Sequence, residues 1–326
     1  MKKTKKLLAC LIAAATMFTM GSTAFAATTV NTAEDHDSVT VGKVYKLTNA
    51  DTTSPAETFT LEQVGNGEVK DGEATSAPAL GTITGAEFAE GAATVDGVKE
   101  TINVALPTYT NVGVYEYTLK EVAGKTAGVT YYGKEIKLTV TVVNGTDGNL
   151  RIAAVHTEAV GETKSDSFEN TYSAGTLKIS KTVAGNLGDK AKYFEFKVAL
   201  KGAEGKTYAN SYAVSGGSNT SNPKSIEIGK EATFLLKHGE TISIANLPYG
   251  VTYTITETPA EGYETIKTGN TGTVDSAEQT AAFTNTKAGE IDTGINLTTL
   301  PYILVFAGVI VIAGAAFITR RRKYED

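Results

Sequence analysis

The sequence contains no tryptophan, one cysteine, three histidines and only seven prolines in 326 residues. Cys10 with His36, His156 and His238 supplies too few ligands for a zinc cluster and no Cys/His pair for nucleophilic catalysis. No metal, cofactor or enzyme active site is therefore expected. Charged residues are 20% and hydrophobic ones 41%, a balance that excludes both a wholly disordered chain and a multi-span membrane protein. What is abundant is threonine, 50 residues, and glycine, 33. β-Branched residues and turn formers predict an all-β fold.

Both ends read as targeting segments. Residues 1–26 open with Lys2, Lys3, Lys5 and Lys6, continue through the apolar stretch Leu7–Met20 and end Ala24-Phe25-Ala26, the layout of a secretory signal peptide. Removing it removes Cys10, so the exported chain has no disulfide to reinforce it. Leu300–Thr319 is an uncharged run of 20 residues, enough for one membrane-spanning helix. Arg320, Arg321, Arg322 and Lys323 follow, which keeps the tail in the cytoplasm and the body outside. Residues 27–293 carry 22 basic and 34 acidic side chains, about −12 in net charge, which argues against nucleic-acid and anionic-lipid partners.

Between the ends, four landmarks occur twice in the same order. Val39-Thr40-Val41-Gly42-Lys43 is echoed by Leu177-Lys178-Ile179-Ser180-Lys181, and Phe59-Thr60-Leu61 by Phe194-Glu195-Phe196-Lys197-Val198. Gly113 to Glu121 is echoed by Gly250 to Glu257, and Phe168-Glu169-Asn170-Thr171 by Phe283-Thr284-Asn285-Thr286. Each run alternates apolar and polar residues and is bounded by turn formers, Gly65-Asn66-Gly67 and Asn144 to Asn149 among them, so each reads as a strand. Two tandem immunoglobulin-like β-sandwich domains follow, 27–172 and 173–288, with roughly seven to nine strands each.

The alternation also fixes which side chains point inward. Lys43 is in phase with Val39 and Val41, Glu121 with Tyr115, Tyr117 and Leu119, and Asn170 with Phe168. Lys181, Glu257 and Asn285 repeat the pattern. Burying ions costs several kcal/mol each unless they pair. An apolar site favours the neutral forms of both an amine and a carboxylic acid, leaving a nucleophile beside a proton donor. Attack of the lysine on the asparagine carboxamide, with glutamate polarising the carbonyl and shuttling protons, would expel ammonia and leave an isopeptide bond. The plainer alternative is a snorkelling lysine, a rim glutamate and a turn asparagine. Recurrence of the same triplet in the same phase favours Lys43–Asn170 and Lys181–Asn285 bonds, with Glu121 and Glu257 as the catalytic acids. Each bond would close a loop of more than a hundred residues, which by chain entropy stabilises by roughly 4–5 kcal/mol.

Taken together, the signal peptide, the two triplets and the tail resemble the major (backbone) pilins of Gram-positive sortase-assembled pili, in particular the streptococcal two-domain type. Leu247-Pro248-Tyr249-Gly250 through Glu257, with Glu261-Gly262-Tyr263, is similar to the CnaB domains of surface adhesins. Glu290-Ile291-Asp292-Thr293-Gly294, ahead of the hydrophobic helix and basic tail, resembles a sortase sorting signal within 289–294, with 295–326 as the membrane anchor. It departs from the commonest Leu-Pro-x-Thr-Gly form at its first two positions. The resemblance implies cleavage between Thr293 and Gly294 and transfer of Thr293 to a lysine of another copy, for which Lys164 is the candidate. It further implies a sortase, other copies of the chain, minor pilins and peptidoglycan as partners, on the cell surface after a transient membrane stage. The competing reading is a monomeric, wall-anchored adhesin that binds a host ligand.

Overall fold

The computed structural model describes residues 37–146, 148–159, 165 and 167–290. The expected signal peptide and membrane helix, Thr293, Gly294 and Lys164 all lie outside the described residues. Among the described residues every regular element is a strand. The first half contains β1 (Ser38–Leu47), β2 (Glu57–Phe59), β3 (Leu61–Gln63), β4 (Glu68–Gly72), β5 (Ile83–Thr84), β6 (Ala86–Phe88), β7 (Val98–Ala105), β8 (Gly113–Glu121), β9 (Val129–Thr130), β10 (Ile136–Asn144), β11 (Leu150–Ala159) and β12 (Ser167–Tyr172). The second half contains β13 (Ala174–Ala184), β14 (Phe194–Lys201), β15 (Tyr212–Gly216), β16 (Ser225–Ile226), β17 (Glu231–Leu236), β18 (Thr241–Pro248), β19 (Thr252–Glu257), β20 (Glu264–Thr268), β21 (Thr271–Thr273) and β22 (Glu278–Thr286).

These strands form two β-sandwiches in tandem. The first stacks a sheet of order β5-β7-β1-β12-β9 on one of order β11-β10-β8-β3, and the second stacks β16-β15-β18-β13-β22-β20 on β17-β14-β19-β21. Period-two alternation makes them so: in β10, Ile136, Leu138, Val140 and Val142 are buried while Lys137, Thr139 and Thr141 lie between them on the other face. Each sandwich has its own core, one around Tyr45, Phe59, Ile102, Tyr117 and Leu138. The other gathers Leu177, Ile179, Phe196, Phe234 and Phe283. Each such buried aliphatic or aromatic side chain contributes about 1.5–3 kcal/mol.

In both sandwiches the first and last strands are parallel neighbours, β1 with β12 and β13 with β22. Parallel neighbours cannot be joined by a tight turn. Here the remainder of each sandwich is the crossover, which is how residues far apart in the chain come to lie side by side. The two registers agree: Lys43 lies opposite Phe168 with Asn170 two residues on, and Lys181 lies opposite Phe283 with Asn285 two residues on.

The sandwiches are tied where β12 passes into β13. The Asn49 side chain donates to the Ala174 carbonyl (2.6 Å) and to the Tyr249 hydroxyl (2.8 Å). Asn246, held at φ 58°, a conformation asparagine tolerates better than most residues, makes two bonds to the Thr53 backbone.

Two features differ from the sequence reading. The strands are more numerous than seven to nine per sandwich, because two- and three-residue pairings such as β2 with β6 carry little alternation to read. Gly65-Asn66-Gly67 does not reverse the chain: β3 and β4 both pair antiparallel with β8, so the glycines interrupt one extended line. Position 67 has no room for a side chain. Tyr117 is fully buried, and a Cβ on Gly67 would stand 2.5 Å from its Cε1 and 2.9 Å from the Ala77 Cβ. Gly67→Ala is accordingly expected to destabilise the first sandwich by about 1–3 kcal/mol, read as a lower denaturation midpoint. An unchanged midpoint would mean that the segment yields without cost.

Candidate functional site

Inward-facing polar residues meet at one point in each core. In the first sandwich, β1 supplies Lys43, β8 supplies Glu121 and β12 supplies Asn170, which are 1%, 3% and 1% exposed. The Lys43 amine donates to Glu121 Oε2 in a very short contact, and to Asn170 Oδ1 at 2.7 Å. Asn170 Nδ2 donates to the other glutamate oxygen, Oε1, at 2.5 Å. The three groups therefore close a ring, amine to carboxylate to amide and back. The backbone N–H of Tyr132 enters it, donating to Asn170 Oδ1 at 2.9 Å.

The second cluster has the same members and a looser arrangement. Lys181 on β13 and Asn285 on β22 are buried, and the Glu257 side chain at the end of β19 is 3% exposed. Lys181 Nζ and Asn285 Nδ2 each donate to Glu257 Oε1 at 2.6 Å. Glu257 Oε2 and Asn285 Oδ1 are buried without a hydrogen-bond partner. Half a turn of the Asn285 amide would bring its carbonyl oxygen to the glutamate, the orientation in which a protonated Glu257 could donate to it.

Aromatic rings close both sites. Lys43 Nζ lies 5.2 Å from the Phe59 ring centre and 5.7 Å from that of Tyr132, and Tyr132 packs on Phe168 at 5.1 Å. Lys181 Nζ lies 4.2 Å from Phe194 and 5.7 Å from Phe196. The positions correspond, since Leu61 pairs with Glu121 and Phe196 with Glu257, which places Phe59 and Phe194 equivalently two residues earlier. Such surroundings withdraw water from the amine. Desolvation pulls Lys43 below the ordinary lysine range against the opposing attraction of Glu121, and Lys181 shifts the same way against Glu257. The amines are thereby biased toward their nucleophilic form.

Tyr132 went unrecognised in the sequence because its contribution is a backbone donor, which no side-chain pattern marks. Of the remaining polar candidates, His238 accepts from the Val183 N–H through Nδ1 at 3.0 Å, which assigns it to holding the turn beside Lys181. His156 lies on β11, away from both clusters.

Residues 39–173 match the family described as a Spy0128-like isopeptide containing domain, and residues 175–287 match a domain family of unknown function, DUF7601. A pilin of Streptococcus pyogenes serotype M1 is 28% identical over 335 residues, which takes in 92% of this chain and 96% of that pilin. The pilus tip adhesin Cpa of the same species is 38% identical over 118 residues, 34% of this chain but only 16% of the adhesin. Among solved structures, the crystal structure of the major pilin from Streptococcus pyogenes shares the fold, with a TM-score of 0.53 and 23% identity over 78% of this chain and all of that one. A pilin matched along nearly its whole length, an isopeptide-domain family over the first sandwich and a fold shared with a solved major pilin make this chain similar to the streptococcal major pilins.

Proposed function

We propose that this pilus shaft subunit is locked by two self-formed bonds, Lys43–Asn170 and Lys181–Asn285, and joined to its neighbours through Thr293. The observation that supports the internal bonds is the closed ring of Lys43, Glu121 and Asn170 inside an apolar core, with Lys181, Glu257 and Asn285 gathered in the same order, though in an open arrangement, in the second core.

The chemistry needs no cofactor. Proton transfer from Lys43 to Glu121 leaves a free amine against the Asn170 amide. The amine nitrogen attacks Cγ, and the tetrahedral centre collapses by breaking the bond from Cγ to Nδ2. The ammonium and carboxamide together hold five hydrogens on nitrogen. One stays on the new amide, three leave with ammonia, and the last rests on the glutamate until ammonia or water carries it off. Glu121 first accepts and then donates, the behaviour of a general base turned general acid. Phe59, Tyr132 and Phe168 then keep hydrolytic water from the product.

Between copies, a sortase would cleave after Thr293 and pass the acyl group to Lys164 of the next subunit, the last copy being passed to peptidoglycan. The sorting-signal resemblance of Glu290 to Gly294 and the hydrophobic segment behind it support this step and the transient membrane-bound precursor. A wall-anchored monomer is the alternative reading.

The intact mass of the exported body is expected to fall short of the sequence mass by about 34 Da, roughly 17 Da for each ammonia lost. Glu121→Ala or Glu257→Ala should each halve that deficit, and a full sequence mass in the parent would sink the proposal. Asn285→Ala, which removes the electrophile without stranding a charge, should lower the Tm of the second sandwich by about 15–30 °C, the equivalent of roughly 4–5 kcal/mol of lost loop closure. Cell-wall extracts should show a detergent-resistant ladder of multimers that disappears in Lys164→Ala. A single wall-linked band in the parent would favour the monomeric adhesin.

A further inference from the structure

The two clusters differ at the atom where negative charge builds up during bond formation. When an amine adds to an amide, the carbonyl oxygen becomes an oxyanion, and a fixed donor aimed at that oxygen lowers the barrier. In the first sandwich Asn170 Oδ1 already has such a donor, the Tyr132 N–H at 2.9 Å. In the second, Asn285 Oδ1 is buried and has none.

The difference originates in strand length. β9 pairs with β12 only through Thr171↔Thr130 and Tyr172↔Val129, and then leaves the ladder. Past that point the Tyr132 N–H is no longer committed to a neighbouring strand and turns toward the Asn170 side chain. Its counterpart β20 stays paired with β22 from Glu264↔Thr286 through Thr268↔Ala282 and passes Asn285 in register at Thr265. A strand that keeps its ladder spends its N–H groups on backbone carbonyls or solvent and leaves none for the side chain beside it.

We infer that the backbone N–H of Tyr132 is the oxyanion donor for Lys43–Asn170 bond formation, and that the Lys181–Asn285 site works without a backbone donor and relies on Glu257 alone. The inference rests on the reading of Lys43–Asn170 as a bonded pair. The Tyr132 N–H donates chiefly to Oδ1, at 2.9 Å, the atom that remains on the new amide, and makes a longer contact of 3.4 Å to Glu121 Oε1. It therefore acts on the addition step and stays bonded in the product, whereas Glu121 moves protons.

The test is to replace the 131–132 peptide bond by an ester, using the α-hydroxy analogue of tyrosine at an amber codon during cell-free synthesis of the full exported chain. Cross-linked peptides at the two sites are then quantified by mass over time in the same molecules. Loss of the N–H should slow Lys43–Asn170 closure by about 100-fold, the scale for removing one oxyanion donor, and leave Lys181–Asn285 closure unchanged. Tyr132→Ala, which keeps the N–H but loses the ring, should slow closure far less. Closure of Lys43–Asn170 at the parental rate in the ester chain would overturn the inference. If the ester chain does not fold, the linked parent still decides: a coupling across the hydrogen bond from the Tyr132 amide nitrogen to Asn170 Cγ in isotope-labelled protein is expected, and its absence refutes the assignment. A parent that loses no ammonia at either site would instead defeat the bonded-pair reading, and the inference with it.

Discussion

Everything particular about this fold follows from a lysine and a glutamate held together inside an apolar sandwich. Removing both ions from water costs several kcal/mol apiece, and their attraction commonly does little more than balance that cost. As a device for stability alone, the pair is a poor choice beside two leucines. It becomes intelligible once the third member is included, because Asn170 and Asn285 offer the amine a carboxamide at contact distance or through a shared carboxylate. The same desolvation that makes the ion pair expensive lowers the lysine toward its neutral form. On the proposed chemistry, what is a cost while the groups remain ionic would become the driving condition for making them covalent.

The topology serves that end. A bond between the first and last strands requires the two to be neighbours, and both sandwiches achieve it with a parallel pair whose register puts lysine and asparagine two residues apart on one face. The remaining strands supply the apolar walls and the acid. β8 and β19 deliver Glu121 and Glu257 from the opposite sheet, opposite Leu61 and Phe196, so the acid reaches the amine across the core rather than along a ladder.

Much of this was legible because strands alternate with a period of exact two-residue spacing. Once Val39 and Val41 were read as inward, Lys43 had to be inward as well, and the same held for Glu121 behind Tyr115, Tyr117 and Leu119. Legibility ended where side chains no longer carry the signal. Gly65-Asn66-Gly67 has the composition of a turn, but the strands on either side both pair with β8, and Gly67 is glycine because of a tertiary contact, the Tyr117 ring, that leaves no room for a Cβ. The Tyr132 donor depends on where β9 stops pairing, and two-residue strands such as β9 leave too little pattern to mark their ends. The phase of β19 turns the Glu257 side chain inward, but the lack of a partner at its second oxygen and at Asn285 Oδ1 is a matter of hydrogen-bond geometry that no alternation encodes.

The parallel pairing also decides how a shaft built from such units carries load. In each sandwich the chain enters at the start of the first strand and leaves at the end of the last, so tension along the polymer pulls β1 against β12 and β13 against β22 in shear. Hydrogen bonds alone would share that force until the ladder slid, and everything between the two strands would then unravel. The proposed covalent link from Lys43 to Asn170 would lie five residues from the entry at Ser38 and two from the exit at Tyr172, and it would leave the segment between them, a separation of 127 positions, outside the path of force. The second sandwich repeats the arrangement from Ala174 to Thr286. With both proposed bonds made, the sheets would need only the stability required to fold and to bring three side chains together, because after that the force would pass through bonds that do not slide.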